Sequence, residues 1–449
     1  MDTKGWDVIF ACSTKTANQQ LEKHLKEENV SFYLNIDNNY ILSGTFDPWE
    51  IVGGSGKFIR FKTPIKQGTM EMKDEDTTID LTGFCPEMEL QLHFIENVCI
   101  TNVKHLTFNF TVPGTHPGDQ TEGAVTTINP DTSGRLKAQD DPMAESIFRK
   151  YLPEIFITNR EKLAYVFAEV NMFPPDSISW LAPIKFDYIY AKSENDYDAI
   201  AILGVTKDRD ISNLPREIDG KLFDIQYEVY NLISDGMFLE HIILPTLPNA
   251  YGNGATSDNF VYNSKSDTSG VINNKGELSC PSVKWGLTHY YPKINSLTIN
   301  VDNDKVVNSV GGYFDITGLA NAYVTYSITS NNEFQFTKPN TISFLKDPNP
   351  TTNYDKHIPW YDWVFGAIGG VIVIAIVDSV IALVTDSLSK SVTNTTFGSV
   401  TDILANAAPI VVKWSGVDNI EIEDCGLQQS FYIRGKRVDV EDFDDWLNS

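Results

Sequence analysis

Cysteine is scarce in this chain. Its 449 residues include five cysteines, Cys12, Cys85, Cys99, Cys280 and Cys425, which are widely separated and form no CxxC pair. Disulfide scaffolds and zinc knuckles need more, and more closely spaced, cysteines. Both kinds of structure are therefore excluded, and we expect most of the five to be buried thiols.

Positive charge is also in deficit. The chain has 35 lysines and arginines against 60 aspartates and glutamates, which gives a formal net charge of -25 and a pI near 4.6. A protein that binds duplex nucleic acid needs a cationic surface to displace counterions. Nucleic acid is therefore excluded as the main partner.

The motifs of the common catalytic and cofactor sites are missing. The chain contains no HExxH, no GxxxxGKS or GxxxxGKT, and no GxGxxG that opens a helix. Its seven histidines are dispersed, and no set of nucleophile, base and orienting group can be assembled from them by spacing. We expect no catalytic residues, no metal site and no cofactor, with an unrecognised hydrolase as the alternative.

The amino terminus, MDTKGWDVIFACSTKT, has no basic leader followed by an apolar core. A secretory signal peptide requires both. We expect a protein that is made in the cytoplasm without such a peptide and leaves the cell, if it does, by another route.

A transmembrane-length apolar run is absent as well. Residues 363–377 form a stretch of 15 uncharged residues between Asp362 and Asp378, whereas a spanning helix needs about 20. An apolar stripe continues beyond Asp378, which predicts one long helix over 359–390. We expect this helix to be buried inside a sheet; insertion into a membrane after a conformational change and a simple membrane anchor are the alternatives.

What the chain does contain is a helix followed by many short strands. Ala17, Leu21 and Leu25 recur every four residues, which predicts an amphipathic helix that starts near Ser13 or Thr14. From residue 30 the period changes to two, which is typical of an antiparallel meander. A short helix over 144–151 is expected to end before Pro153.

The length and the recurrence of this order predict two lobes. Single cores stop growing near roughly 250 to 300 residues, so a chain of 449 residues should divide. We place the lobes at 1–220 and 221–449, with the apolar helix 359–390 in the second.

Two of the strands alternate cleanly between apolar and polar residues, around residues 88–94 and 106–112. Such a strand has one apolar face and one solvated face. If the covering helix leaves space, the apolar faces can line a slot for acyl chains, whereas a fully packed interior would bind no lipid. The predicted lining residues are Leu90, Leu92, Phe94, Phe108 and Phe110.

One basic segment interrupts the acidic background. No acid lies between Glu50 and Glu71, and this interval carries Lys57, Arg60, Lys62 and Lys66. Such a cluster can hold a lipid headgroup or a phosphate. The alternative is a solvated strand edge whose charge discourages aggregation.

Several segments together resemble the clostridial P-47 family. They extend over nearly the whole chain: Gly5-Trp6-Asp7, the run GTFDPWEIVGGSG over 44–56, FKTPI over 61–65, LPTLP over 244–248, and the apolar helix with Trp360 and Trp363.

The resemblance implies a TULIP-type fold of the α+β class, in which strongly curved antiparallel sheets wrap long helices in two lobes. It also implies an accessory protein encoded beside botulinum-type neurotoxins and released to the extracellular space with a toxin complex. OrfX proteins or the neurotoxin complex would be its partners. The family offers no catalytic residues to carry over.

Two functions follow from these observations. The leading hypothesis is a non-catalytic accessory protein that binds lipid or a membrane surface. The alternative is a scaffold for protein partners of the toxin complex, with a closed tube and no lipid ligand.

Overall fold

A computed structural model describes residues 1–193, 195, 197–337, 341–357, 366–391 and 408–438. They divide into two compact units. The amino-terminal unit comprises residues 9–230 with 408–421 and 435–438, and the carboxy-terminal unit comprises residues 1–8, the described residues between 231 and 391, and 422–434. The sequence predicts a single boundary at residue 220, whereas the end of the chain contributes to both units.

The first part of the chain forms strands with three interspersed helices. In chain order the elements are β1 (Val8–Ser13), α1 (Thr14–Glu28), β2 (Ser31–Ile36), β3 (Tyr40–Phe46), β4 (Glu50–Ser55), β5 (Phe58–Lys62), β6 (Ile65–Met72), β7 (Thr77–Asp80), β8 (Glu87–Glu96), β9 (Val103–Asn109), β10 (Val112–Pro113), β11 (Ala124–Asn129), α2 (Arg135–Ala138), α3 (Pro142–Thr158), β12 (Val166–Asn171), β13 (Lys185–Ala191) and β14 (Ala199–Val205).

The rest of the described chain is again mostly strands. The elements are β15 (Val229–Ile233), α4 (Asp235–Met237), α5 (Leu247–Tyr251), β16 (Phe260–Ser264), β17 (Gly270–Asn274), β18 (Leu278–Ser279), β19 (Val283–Trp285), β20 (Thr288–Tyr290), β21 (Lys293–Asp302), β22 (Lys305–Asp315), β23 (Tyr323–Thr337), β24 (Thr341–Phe344), β25 (Thr351–His357), α6 (Gly366–Ser391), β26 (Val412–Trp414), β27 (Ile420–Gln428) and β28 (Ser430–Arg437). A π-helical segment, Phe238–Ile243, and a 3-10 turn, Leu244–Thr246, connect α4 to α5.

Two antiparallel sheets dominate the amino-terminal unit. The larger has the order β10-β11-β8-β9-β12-β26, with β5 also paired to β8 and β4 to β5, and the smaller has the order β2-β3-β6-β7. The short β10–β11 pair is parallel. The predicted α+β class, with curled antiparallel sheets around helices, is confirmed.

Helix α1 begins where the sequence predicts. The Ser13 hydroxyl accepts a hydrogen bond from the backbone amide of Thr16 at 3.1 Å, which caps the helix. Ala17, Leu21 and Leu25 are buried, so the predicted apolar stripe is the packed face.

Helix α3 is longer than predicted. It starts at Pro142 after the capping carboxylate of Asp141 and continues through Pro153 to Thr158, so the expected end before Pro153 is wrong. Proline inside a helix costs about 3 kcal/mol. The complete burial of Phe148 and Phe156, on either side of Pro153, offsets this cost because both rings pack into the core.

Aromatic rings fill the core of this unit. Trp49 and Phe108 have ring centroids 5.7 Å apart, and Phe108 and Phe167 have centroids 5.0 Å apart. Further rings extend this cluster on both sides: Phe32, Phe46, Phe61, Phe110, Phe156 and Tyr165.

In the carboxy-terminal unit a curled antiparallel sheet packs against α6. The sheet order is β16-β17-β21-β22-β23-β24, with β18 on β21 and β25 on β23. Among the described side chains of α6, a row of aliphatic residues is buried: Val373, Ile376, Val377, Val380 and Val384. Residues 359–365 of the predicted helix lie outside the described residues. Among the described helices, none has the length and hydropathy of a membrane span.

Candidate functional site

Strand β8 is buried on both faces, contrary to the solvated face that its alternation predicts. Glu89 and Gln91 on the polar face are 5% and 7% exposed. The loop between β10 and β11 covers them, and the Gln91 amide donates to the carbonyl oxygens of Asp119 and Thr121 at 3.1 and 2.9 Å. The expectation fails because this loop supplies partners for the polar side chains, which makes their burial tolerable.

The four basic residues do not form one cluster of free charges. Lys57 pairs with Asp187, with Nζ 3.1 Å from Oδ1, and Arg60 Nε lies 3.2 Å from Oε2 of the buried Glu89. Lys62 shares the outward face of β5 with Arg60, while Lys66 is exposed on β6 in the other sheet. Neither Lys62 nor Lys66 has an acidic partner within ion-pair distance in the described part of the chain. Their headgroup role stays a prediction.

The predicted lining residues lie in or beside the filled core. Leu92 and Phe108 are cross-strand neighbours on β8 and β9, and Phe108 stacks on Phe110 with centroids 5.0 Å apart. Leu90, Leu92, Phe108 and Phe110 are buried. Their burial leaves little surface for an acyl chain, although Leu92 also borders the cleft described below. Only Phe94, at the end of β8, is partly exposed.

Sequence reasoning missed an exposed apolar surface at one end of this sheet. The β8–β9 turn carries Val98, which is fully exposed, and Ile100, which is 54% exposed. The segment after β12 carries Phe173, which is 71% exposed. Asn171 pairs with Val103, and the amide of Met172 donates to the Asn102 carbonyl at 3.0 Å, so the two loops are adjacent. We call Val98, Ile100 and Phe173 the apolar tip.

Three backbone amides in the two loops of the apolar tip are hydrogen-bonded to side chains of the same loops. The side-chain oxygen of Asn97 accepts from the amides of Cys99 and Ile100 at 2.8 and 3.1 Å. The Asn171 side-chain oxygen accepts from the Phe173 amide at 3.0 Å. These three amides therefore need no water, which lowers the cost of placing the loops in an apolar medium.

The sequence contains a weak sign of this surface. The loops read NVCITN over 97–102 and MFPP over 172–175, and neither contains a charged residue. Either short uncharged loop by itself does not indicate a binding surface. The two loops form one apolar surface only because β9 pairs with β12, which brings these distant segments together.

A cleft of about 750 Å³ opens beside β8. Asp187 lies in its wall and is nearly buried, and its two carboxylate oxygens bind separate cations: Lys57 at 3.1 Å and Arg216 Nε at 2.6 Å. Glu122 and the rings of Phe58 and Phe94 also line the cleft.

Tyr188 fixes one wall of this cleft. Its hydroxyl donates to the Lys57 carbonyl at 2.9 Å and accepts from the Leu92 amide at 2.7 Å. Burial raises the pKa of Tyr188, so this phenol is a neutral structural link between β13, β8 and the β4–β5 turn. Burial also lowers the pKa of His93, which lines the cleft, although the nearby Glu122 opposes the shift.

The described residues contain no group of three His, Cys, Asp or Glu side chains that could hold a metal ion.

A family model described as OrfX-like, Protein OrfX2/OrfX3/P47, matches residues 3–341. Protein P47 of Clostridium botulinum (strain Kyoto / Type A2) is 31% identical over 440 residues, which cover 97% of this chain and 99% of that protein. Protein OrfX3 of Paraclostridium bifermentans is 21% identical over 446 residues, which cover 92% of this chain and 89% of that protein.

Solved structures share the fold. P47 from Clostridium botulinum A2 superposes with a TM-score of 0.83 at 29% identity and covers 97% of this chain and 98% of its own. P47 of Clostridium botulinum E1 gives a TM-score of 0.76 at 26% identity, with 97% and 99% coverage.

Proposed function

This chain belongs to the OrfX2/OrfX3/P47 family, and on that premise we propose that it is a non-catalytic accessory protein that binds membrane lipid through its apolar tip. The predicted family resemblance is confirmed. We further propose the setting that the sequence suggests: an OrfX/P47 toxin cluster, with release to the extracellular space together with a toxin complex.

The apolar tip is the observation that carries this proposal. It combines three exposed apolar side chains on two adjacent uncharged loops with amides that are bonded internally. A protein partner can supply donors and acceptors to loop amides, whereas hydrocarbon supplies none. The internal bonding at Cys99, Ile100 and Phe173 therefore favours a lipid surface over a protein interface.

The size of the tip is consistent with reversible binding. Removing a Val, Ile or Phe side chain from water is worth about 1.5–3 kcal/mol. Three such side chains give a total on the order of 5 to 9 kcal/mol before the costs of association. A protein anchored this way would leave the membrane readily, much as a singly acylated protein does.

This mode of binding differs from storage of an acyl chain inside the unit. The residues predicted to line an internal slot pack against other rings, as Phe108 does against Phe110 and Phe167. Contact through the tip leaves that core intact. Membrane binding through the tip therefore does not require the sheet to open.

Vesicle flotation tests the proposal. Val98→Asp combined with Ile100→Asp places charge where insertion would occur, and we expect at least about a tenfold loss of vesicle binding, since a charge in hydrocarbon costs about 2.5–3.5 kcal/mol. Ile225→Asp is the matched control, because Ile225 is 58% exposed in the same unit but lies outside the tip. This control should bind like the parent.

Parent protein that fails to float with vesicles of either neutral or anionic lipid would refute the proposal. Equal binding by the tip variant and the parent would refute the role of the tip. Salt-sensitive capture of an OrfX-type protein, without any flotation, would instead support the scaffold alternative.

A further inference from the structure

The cleft beside β8 contains a charge arrangement that its structural role does not explain. The buried Asp187 holds Lys57 and Arg216 on separate oxygens. Arg216 uses only Nε for this contact, which leaves its terminal nitrogens available on the described surface of the cleft. Both cations are partly exposed, at 44% and 36% of their side-chain surface.

Among the described residues that line the cleft, the charges balance. Lys57 and Arg216 are cations, Asp187 and Glu122 are anions, and all four line the same cavity. Burial lowers the pKa of His93, which disfavours a positive charge on this ring. A simple anion would gain little from a cleft whose described lining carries no net charge, in a chain of net charge -25. A zwitterion, by contrast, can match both signs at once.

The remaining wall suits the cationic end of such a ligand. Phe58 and Phe94 line the cleft with Glu122, and both rings are partly exposed. Aromatic faces attract quaternary ammonium groups, which cannot donate hydrogen bonds and so gain little from other polar groups. An adjacent carboxylate strengthens this attraction.

The position of the cleft relative to the apolar tip adds a third observation. Strand β8 lines the cleft with residues 91–94 and then continues directly into the turn that carries Val98 and Ile100. A strand advances about 3.3 Å per residue, so the cleft begins on the order of 10–15 Å from the tip. This is the depth at which headgroups lie when apolar loops enter the acyl boundary.

We propose that this cleft binds a zwitterionic phosphocholine headgroup, with the phosphate at Lys57 and Arg216 and the trimethylammonium group at Phe58, Phe94 and Glu122. This inference rests on the proposed function, because it assigns the lipid class that the membrane-bound protein would recognise. A bilayer lipid and a free phosphocholine ester both carry this headgroup, and the experiment separates the two sources.

Calorimetric titration with soluble phosphocholine tests the cleft without any membrane. We expect saturable binding, and binding at least about tenfold weaker for inorganic phosphate alone and choline alone, since each loses contacts worth about 1.4 kcal/mol or more. Vesicles of phosphatidylcholine and of phosphatidylglycerol then show whether the same preference operates at a bilayer.

Glu122→Gln and Arg216→Gln are the informative variants. Glu122 is exposed, so its substitution should leave folding intact and weaken phosphocholine binding several-fold. Arg216→Gln should do the same, with thermal unfolding as a check because Asp187 loses one partner. Lys23→Gln is the matched control, since it removes an exposed cation of the same unit that does not line the cleft; it should bind phosphocholine like the parent.

The outcomes separate this inference from the proposed function. Absence of phosphocholine binding, or equal binding of phosphate and phosphocholine, or no effect of Glu122→Gln would overturn the inference even if vesicles still bind through the tip. Phosphocholine binding that the variants weaken, without flotation, would uphold the cleft and refute membrane binding.

Discussion

The side-chain oxygen of Asn97 accepts a hydrogen bond from the backbone amide of Cys99 at 2.8 Å. The same oxygen accepts from Ile100, so one asparagine satisfies two amides of the β8–β9 turn. In water this arrangement gains little, because solvent can serve the same amides. In hydrocarbon the same bonds would remove a desolvation cost, which supports the proposed membrane binding.

Asn97→Ala should therefore weaken vesicle binding more than it weakens the fold. Two unsatisfied amides in an apolar medium cost about 1–3 kcal/mol each, so we expect binding to fall by roughly tenfold or more. Vesicle flotation measures this. Asn35→Ala is the control, because the Asn35 side chain accepts from the Asn38 amide at 3.0 Å in a turn away from the tip; a similar loss in this control would contradict the account.

Arg60 and Lys62 should respond differently to substitution. Arg60→Gln leaves the buried Glu89 with one partner fewer, and we expect a loss of about 1–3 kcal/mol in the free energy of unfolding. Lys62→Gln should change it by less than about 0.5 kcal/mol. Denaturant titration measures both.

This difference also decides how the headgroup prediction is tested. Because Lys62→Gln leaves the fold intact, reduced flotation with anionic vesicles would report a lost headgroup contact, and high salt should have the same effect. Unchanged binding would identify the basic strand as an ordinary solvated edge.

Asn332 should be a stabilising polar contact to α6. It is fully buried, and its amide donates to the carbonyl oxygens of Leu345 at 3.1 Å and Thr385 at 3.3 Å. Asn332→Ala leaves buried carbonyls without this donor, so we expect a loss of about 1–3 kcal/mol in unfolding free energy. Asn331→Ala, at the adjacent exposed position, should be nearly neutral by the same denaturant titration; equal effects would contradict the role of the buried amide.

Asp235 should give the protein a measurable pH dependence. Burial raises its pKa from 3.8 to about 6, and Asp2 adds to the shift while Lys265 opposes it. Between these two values the folded state retains a proton that the unfolded state has lost, so this group's contribution to stability falls as the pH rises from about 4 to 6. Asp235→Asn should be more stable than the parent at pH 7 and should lose this part of the pH profile.

Thermal unfolding at several pH values measures the Asp235 effect. Asp267→Asn is the control, because Asp267 is an exposed carboxylate nearby. Parallel pH profiles for the parent and Asp235→Asn would contradict the assignment.

Local patterns in the sequence predicted much of the fold. The spacing of Ala17, Leu21 and Leu25 and the capping residue Ser13 are properties of one segment, and α1 follows them. The alternation along β8 correctly predicted its apolar face. It failed for Glu89 and Gln91, because the loop that covers them is distant in sequence and irregular.

The candidate site depended even more on distant contacts. The basic segment was visible in the sequence. Asp187, which pairs with Lys57, and Arg216, which pairs with the same carboxylate, follow more than a hundred residues later. The apolar tip combines two loops that only the β9–β12 pairing brings together. Periodicity within a segment carries no information about such pairings.

Cys99 allows the most direct measurement of membrane insertion. It is exposed within the β8–β9 turn, whereas Cys12, Cys280 and Cys425 are buried. The fifth cysteine, Cys85, is partly exposed, and Cys85→Ser prevents its labelling. An environment-sensitive fluorophore on Cys99 should shift to shorter wavelength with phosphatidylcholine vesicles and be quenched by a bilayer-embedded quencher, and Val98→Asp with Ile100→Asp should abolish both changes. An unchanged spectrum at vesicle concentrations that float the protein would contradict insertion of the apolar tip.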